Sequence, residues 1–130
     1  MDPTFVLLTG RVAIVTGAGA GIGKGIALAF ARFGARVAVL ERQEATGRAT
    51  VDAIEATGGE AIAVPTDVRD GDAVERAVAA TVDRFGGVDI LVNNVGGTFH
   101  ASFIDTSPKG WDALVRANLT SVLHGTHAVA

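Results

Sequence analysis

The sequence predicts an open α/β fold, a parallel sheet wound on both faces by helices, and three observations predict it. Short β-rich runs alternate with amphipathic helical stretches along the chain. A glycine-rich turn, Thr16-Gly17-Ala18-Gly19-Ala20-Gly21-Ile22-Gly23, joins the first such run to the first helical stretch. The run Val88–Val92 is apolar apart from Asp89, as expected of a strand covered on both sides. Right-handed crossovers between successive β–α units then give the strand order 3-2-1-4, without linker, repeat or low-complexity tract.

The elements follow in order. Strand one covers about Arg11–Thr16 and helix one about Gly21–Phe33, with Ile22, Ile26, Phe30 and Phe33 as its buried stripe and Gly34 as its end. Strand two, Arg36–Leu40, closes on Glu41. Helix two spans roughly Glu44–Thr57 and stops at Gly58-Gly59. Strand three, Ala61–Val64, leads through Pro65-Thr66 to Asp67. Asp70 or Asp72 caps helix three, whose stripe is Val74, Val78, Val82 and Phe85, and Gly86-Gly87 end it. Strand four runs into Asn93-Asn94, and a loop covers Gly96–Thr106. Ser107 as N-cap and Pro108 as first residue open a last helix that reaches Ala130. Strand four lies at a sheet edge with no edge protection, so a further strand is expected beside it.

Composition narrows the function. A length of 130 residues, 48% of them hydrophobic and 19% charged, suits one packed domain spanning 1–130. The net charge of −3 comes from interspersed acids and bases without a basic stripe, so no nucleic-acid partner is expected. A cysteine count of 0 excludes disulfides, thiolate catalysis and thiolate zinc sites. His124 and His127 lie one turn apart without a convergent carboxylate, so no metal site is expected. Met1-Asp2-Pro3-Thr4 carries no positive charge and Phe5–Leu8 is too short for a signal segment. Lys24, Arg32 and Arg36 interrupt the apolar glycine-helix region. The expectation is a soluble cytoplasmic protein without a membrane span.

A strand, a glycine turn and a helix in that order make a cradle for the pyrophosphate of a dinucleotide. The glycines let backbone N–H groups approach phosphate oxygens, and the helix points its positive end at the anion. The spacing is T-G-x-x-x-G-x-G rather than G-x-G-x-x-G. Asn93 and Asn94 end an apolar strand at the carboxyl edge of the sheet, where such folds bind ligands, and adjacent amides there need hydrogen-bond partners. Asn118 interrupts an apolar-facing helix between Val115 and Leu119. Asparagine is a poor interior helix residue, which marks this position as a candidate site.

Thr16-Gly17, Gly21 and Gly23, Asp67-Val68, Asn93-Asn94-Val95-Gly96 and Asn118 together resemble the short-chain dehydrogenase/reductase family along essentially the whole chain. Val95 stands where the family has alanine. The resemblance implies a Rossmann-type fold and an NAD(P)-dependent oxidoreductase that moves hydride between nicotinamide and an alcohol or ketone substrate. It implies cofactor contacts at Thr16, Gly17, Gly19, Gly21, Ile22, Gly23, Glu41, Arg42, Asp67, Val68, Asn93, Asn94, Val95 and Gly96, with Asn118 as the one catalytic position. Asp67 would accept from the adenine amino group, or form an Asx-type turn, or both. Asn118 would kink its helix and hold a water in a proton relay.

Glu41 would accept from both ribose hydroxyls and repel a 2′-phosphate, which implies NAD rather than NADP. Arg42 reads either as a base for that phosphate or as a solvated surface arginine. Ala20 occupies a site where NADP-preferring members often carry a base. The match covers the family's N-terminal half, so the domain is expected to be incomplete. The family's serine and Tyr-x-x-x-Lys pair are not in this sequence, which contains 0 tyrosines. The complete protein is expected to be a homo-oligomer, and the chain alone inactive. Rival readings are a non-catalytic dinucleotide-binding or redox-sensing module and a truncated product without activity. Phe99, His100 and Phe103 read as ordinary loop residues or as the lining of a substrate pocket.

Overall fold

The computed structural model describes residues 7–130; the N-terminal residues read above as carrying no leader, 1–6, lie outside the described residues. Strand β1 (Val12–Thr16) sits between β2 (Arg36–Glu41) and β4 (Ile90–Val92), and β3 (Ala61–Pro65) lies outside β2. Among the described residues these pair, all parallel, in the order β3-β2-β1-β4, as the sequence predicts. Alternation along each strand splits the core in two. Ala13 and Val15 of β1 and Val37 and Val39 of β2 face α1 (Gly21–Arg32) and α2 (Glu44–Glu55). Ile14, Ala38 and Leu40 face the other way, toward α3 (Gly71–Phe85) and the C-terminal α5 (Ser121–Val129).

Capping chemistry sets the helix ends. The Asp70 carboxylate accepts from the N–H groups of Asp72 and Ala73 at 3.0 and 3.3 Å and starts α3. Ser107 Oγ accepts from the Gly110 N–H at 3.3 Å, with Pro108 in the first turn of α4 (Pro108–Val115).

Two buried stripes differ from the sequence reading. Helix α1 meets the sheet through Gly23 and Ala27, with Ile26 and Phe30 packed alongside; Ile22 is 78% exposed and Phe33 also faces solvent. Small residues at the contact let the helix come close, which rotates the bulkier Ile22 away. In α3 the buried positions are Val74, Ala77, Val78, Thr81 and Phe85, and Val82 is exposed.

Strand β4 is also shorter than expected. The Asp89 carboxylate takes the Val12 N–H at 2.8 Å, its own N–H donates to the Val12 carbonyl at 2.9 Å, and Arg11 pairs with it at 3.2 Å. A side chain thus occupies a backbone donor of β1 where the ladder would otherwise extend. That N–H, with help from Arg11, holds the Asp89 carboxyl below the usual carboxylate range.

The last helix is not continuous. A π-helical turn, Arg116–Thr120, separates α4 from α5 and has Asn118 at its centre. Asn118 Nδ2 donates to the Leu114 carbonyl four residues back at 2.9 Å, the kind of side-chain bond that competes with the helix ladder and widens a turn.

Candidate nucleotide-binding site

The chain leaves each strand at the same edge of the sheet, and there a cleft of about 350 Å³ opens. Its walls come from Gly17 after β1, Leu40–Arg42 at the end of β2, Thr66–Arg69 after β3, Asn94–Gly96 after β4, and Ala117 of the π turn. Gly17, Glu41, Arg42, Asp67, Val68, Asn94, Val95 and Gly96, all expected site residues, line one cavity.

Polar ties shape the glycine turn. Thr16 Oγ1 accepts from the N–H groups of Asn94 and Val95 at 3.0 and 3.2 Å and donates to the Val92 carbonyl at 3.3 Å. Asn94 Nδ2 donates to the Thr16 carbonyl at 3.0 Å. From α2, the buried Thr50 hydroxyl donates to the Ala18 carbonyl at 2.9 Å. Sequence reasoning missed Thr50. Its signal is a polar residue inside the otherwise small or apolar stripe Gly47, Thr50, Val51 and Ile54.

Two glycines are required here for different reasons. Gly21, at φ +55°, opens α1 with nothing within 4 Å of where a Cβ would stand. At Gly23 a Cβ would collide with the Gly17 carbonyl and lie 2.5 Å from Asn94 Nδ2. Gly23 thus serves the packing of helix on loop. The first turn of α1 has no side-chain cap and no acidic residue, the character of a helix start that suits an anion.

At the end of β2, Glu41 Oε2 accepts from the Gly19 N–H and Oε1 from the Gln43 N–H, each at 3.1 Å. Gly19 is therefore turned toward Glu41, and a Cβ there would stand 2.7 Å from that carboxylate. Asp67 forms an Asx-type turn, accepting from the Arg69 N–H at 3.0 Å, and is gripped by the Arg69 guanidinium at 2.6–3.2 Å. Those guanidinium bonds, aided by the Arg69 N–H, hold the Asp67 carboxyl down at about 2 against the cost of its partial burial.

Seven expected site residues are outside the cleft lining: Thr16, Gly19, Gly21 and Gly23 belong to the glycine turn and the start of α1, and Ile22, Asn93 and Asn118 point elsewhere. The Ile22 side chain points to solvent. Asn93 alternates to the far side of the strand end, where its Nδ2 lies 3.5 Å from Thr126 Oγ1 on α5. Asn118 sits behind the lining: its Oδ1 accepts from the Gly97 N–H at 3.0 Å and its Nδ2 donates to the Gly97 carbonyl at 2.8 Å. In the following loop Phe99, His100 and Phe103 are exposed, and Phe103 stacks on Trp111 with ring centroids 5.6 Å apart.

The short chain dehydrogenase family matches residues 11–130. The chain belongs to this family. A 3-oxoacyl-[acyl-carrier-protein] reductase of Synechocystis sp. is 44% identical over 124 residues, covering 95% of this chain and 50% of the relative. Among solved structures, a hydroxysteroid dehydrogenase from Escherichia coli superposes with a TM-score of 0.95 at 35% identity, over 98% of this chain and 54% of that one. A 7α-hydroxysteroid dehydrogenase complexed with NADH and 7-oxo glycochenodeoxycholic acid gives 0.96 at 35% identity, over 99% and 50%. This short chain dehydrogenase sequence spans about half the length of the curated relatives it matches. Among the described residues no helix is long and apolar enough to cross a membrane.

Proposed function

We propose that this chain holds NAD in the cleft and forms the nucleotide-binding half of a short-chain oxidoreductase acting on an alcohol or ketone. The observation that carries the reading is the uncapped first turn of α1, begun by Gly21 with nothing within 4 Å of its Cβ position, directly after a glycine turn whose Gly19 N–H is bound by Glu41. The donor set fits a dinucleotide. The free N–H groups of α1 suit a pyrophosphate, and the similar 7α-hydroxysteroid dehydrogenase structure contains NADH. NAD, when bound, supplies the hydride acceptor, and the chain's own residues supply position and charge.

Each wall has a separate task in this reading. Glu41 uses one lone pair on each oxygen for Gly19 and Gln43, which fixes the carboxylate and leaves acceptor capacity for two ribose hydroxyls. A 2′-phosphate at that place meets a like charge. Asp67 and Val68 form the adenine wall, and Asn94–Gly96 pass beside the second ribose. Asn118 holds Gly97 at both its N–H and its carbonyl. Both Nδ2 protons are then spent, on Gly97 and Leu114, and one Oδ1 lone pair remains for a water. The reading gives this chain no proton-transfer step; the family resemblance assigns that to a Tyr-x-x-x-Lys pair outside this sequence. Assembly of the complete protein as a homo-oligomer is part of this reading, on the family resemblance, as is a cytoplasmic location.

Calorimetric titration of the chain with NADH and NADPH tests the assignment. NADH binds tighter by roughly tenfold to a hundredfold, the worth of charge-assisted ribose bonds of about 1.5–3 kcal/mol. Glu41→Ser narrows that gap. Equal or tighter NADPH binding by the parent means that Arg42 decides the choice and the NAD assignment is wrong.

A further inference from the structure

Helix α5 passes behind the loop that follows β3. On it His124, half-buried, brings Nδ1 to 3.3 Å from the Val68 carbonyl oxygen. A carbonyl only accepts, so this contact places the proton on Nδ1. The imidazole lies over Gly71, the first residue of α3, where a Cβ would stand 3.3–3.5 Å from ring atoms. The peptide unit between Val68 and Arg69 is therefore held at both ends: its carbonyl by His124, and its N–H by Asp67 Oδ1 at 3.0 Å. Among the described residues every hydrogen bond to the Asp67 carboxylate comes from Arg69. The aim of that carboxylate depends on where the Arg69 backbone sits, and His124 ties that backbone to α5. Elsewhere the loop is tied to β2 by the Thr66 N–H on the Glu41 carbonyl at 3.0 Å, two residues before Val68.

We infer that His124 is a positioning residue for the adenine wall: through the Val68 carbonyl it fixes the Val68–Arg69 peptide and so the direction of the Asp67 carboxylate. The inference rests on the dinucleotide reading above. It makes the π turn and α5 together a brace for both ends of the cleft, with Asn118 in the turn gripping Gly97 and His124 on α5 gripping the loop after β3.

The test compares His124→Leu, which removes the donor, with His124→Asn, whose amide N–H can reach the same carbonyl. Each full chain is titrated with NAD, AMP and nicotinamide mononucleotide. Loss of one hydrogen bond weakens NAD and AMP roughly fivefold in His124→Leu. Nicotinamide mononucleotide, which lacks adenine, binds as to the parent, and His124→Asn stays within about twofold of the parent for all three. A His124→Leu chain that binds AMP like the parent overturns the inference, as does one that loses nicotinamide mononucleotide equally. So does a His124→Asn chain as weak as His124→Leu. A parent that binds neither NAD nor AMP overturns the dinucleotide reading itself and this inference with it.

Discussion

β2 and β4 are both neighbours of β1, yet the molecule holds them by different means. β2 lies between two strands, and Val37–Leu40 are buried on both faces. Among the described residues β4 has β1 as its single partner, and its three residues are only half-buried. The loops leaving them inherit that difference. Glu41 comes off a strand paired on both sides, and two backbone N–H groups hold its carboxylate. Asn94–Gly97 come off the half-covered strand, where Thr16 and Asn118 hold them through side-chain hydrogen bonds. One wall of the cleft is placed by packing and the other by polar ties, so the two respond to different kinds of damage.

Gly23→Val strikes the glycine turn and the polar-tied wall at once, because its Cβ meets the Gly17 carbonyl and Asn94 together. It costs about 4 kcal/mol or more and removes measurable NAD binding. Urea unfolding and an NAD titration check it; a stable variant that binds NAD normally places the phosphate cradle elsewhere. Packing alone is probed by Ile14→Ala, at a fully buried side chain of β1, which costs about 3 kcal/mol. Leu123→Ala on α5, 59% exposed, changes stability by less than about 0.5 kcal/mol. Equal losses from the two would mean that the α5 face is covered in solution.

Another small effect is electrostatic. Asp67 is held at about 2, below the ordinary 3.8, by the Arg69 guanidinium. A depressed carboxylate contributes its stability in full above its unfolded value and loses it as the pH falls from about 4 toward 2. The pair is partly exposed, at 35% and 48%, so screening keeps the contribution below about 1 kcal/mol. Asp67→Asn is therefore slightly less stable than the parent at pH 5 and equal to it near pH 2, as urea midpoints report. A gap that persists at pH 2 would assign the effect to shape rather than charge.

Much of this arrangement is legible in the sequence because local signals agree with the global fold. Thr16–Gly23 reads as strand, turn and helix, while Asp70 and Ser107-Pro108 mark helix starts that the structure reproduces. The failures have physical causes. Hydrophobic spacing in α1 points to Ile22 and Phe33, because Gly23 and Ala27 make the closest contact while contributing little hydrophobic signal. Strand β4 is cut short by a long-range bond from Asp89 to Val12, which no local pattern reveals. Asn93 and Asn94 look alike in sequence, and only strand alternation separates the one facing α5 from the one facing the glycine turn. His124 gives no signal at all, since its partner Val68 lies 56 residues away.

The π turn at Arg116–Thr120 has a geometric consequence of its own. One extra residue per turn advances everything after it by roughly 100° about the axis relative to an unbroken α-helix. Trp111 and Val115 before the turn and His124 and Gly125 after it therefore belong to two angular phases of one rod. Deleting a single residue inside the turn would restore the α-helical period. It would also swing His124 by about that angle, away from the Val68 carbonyl, while every side chain of α5 stayed chemically the same.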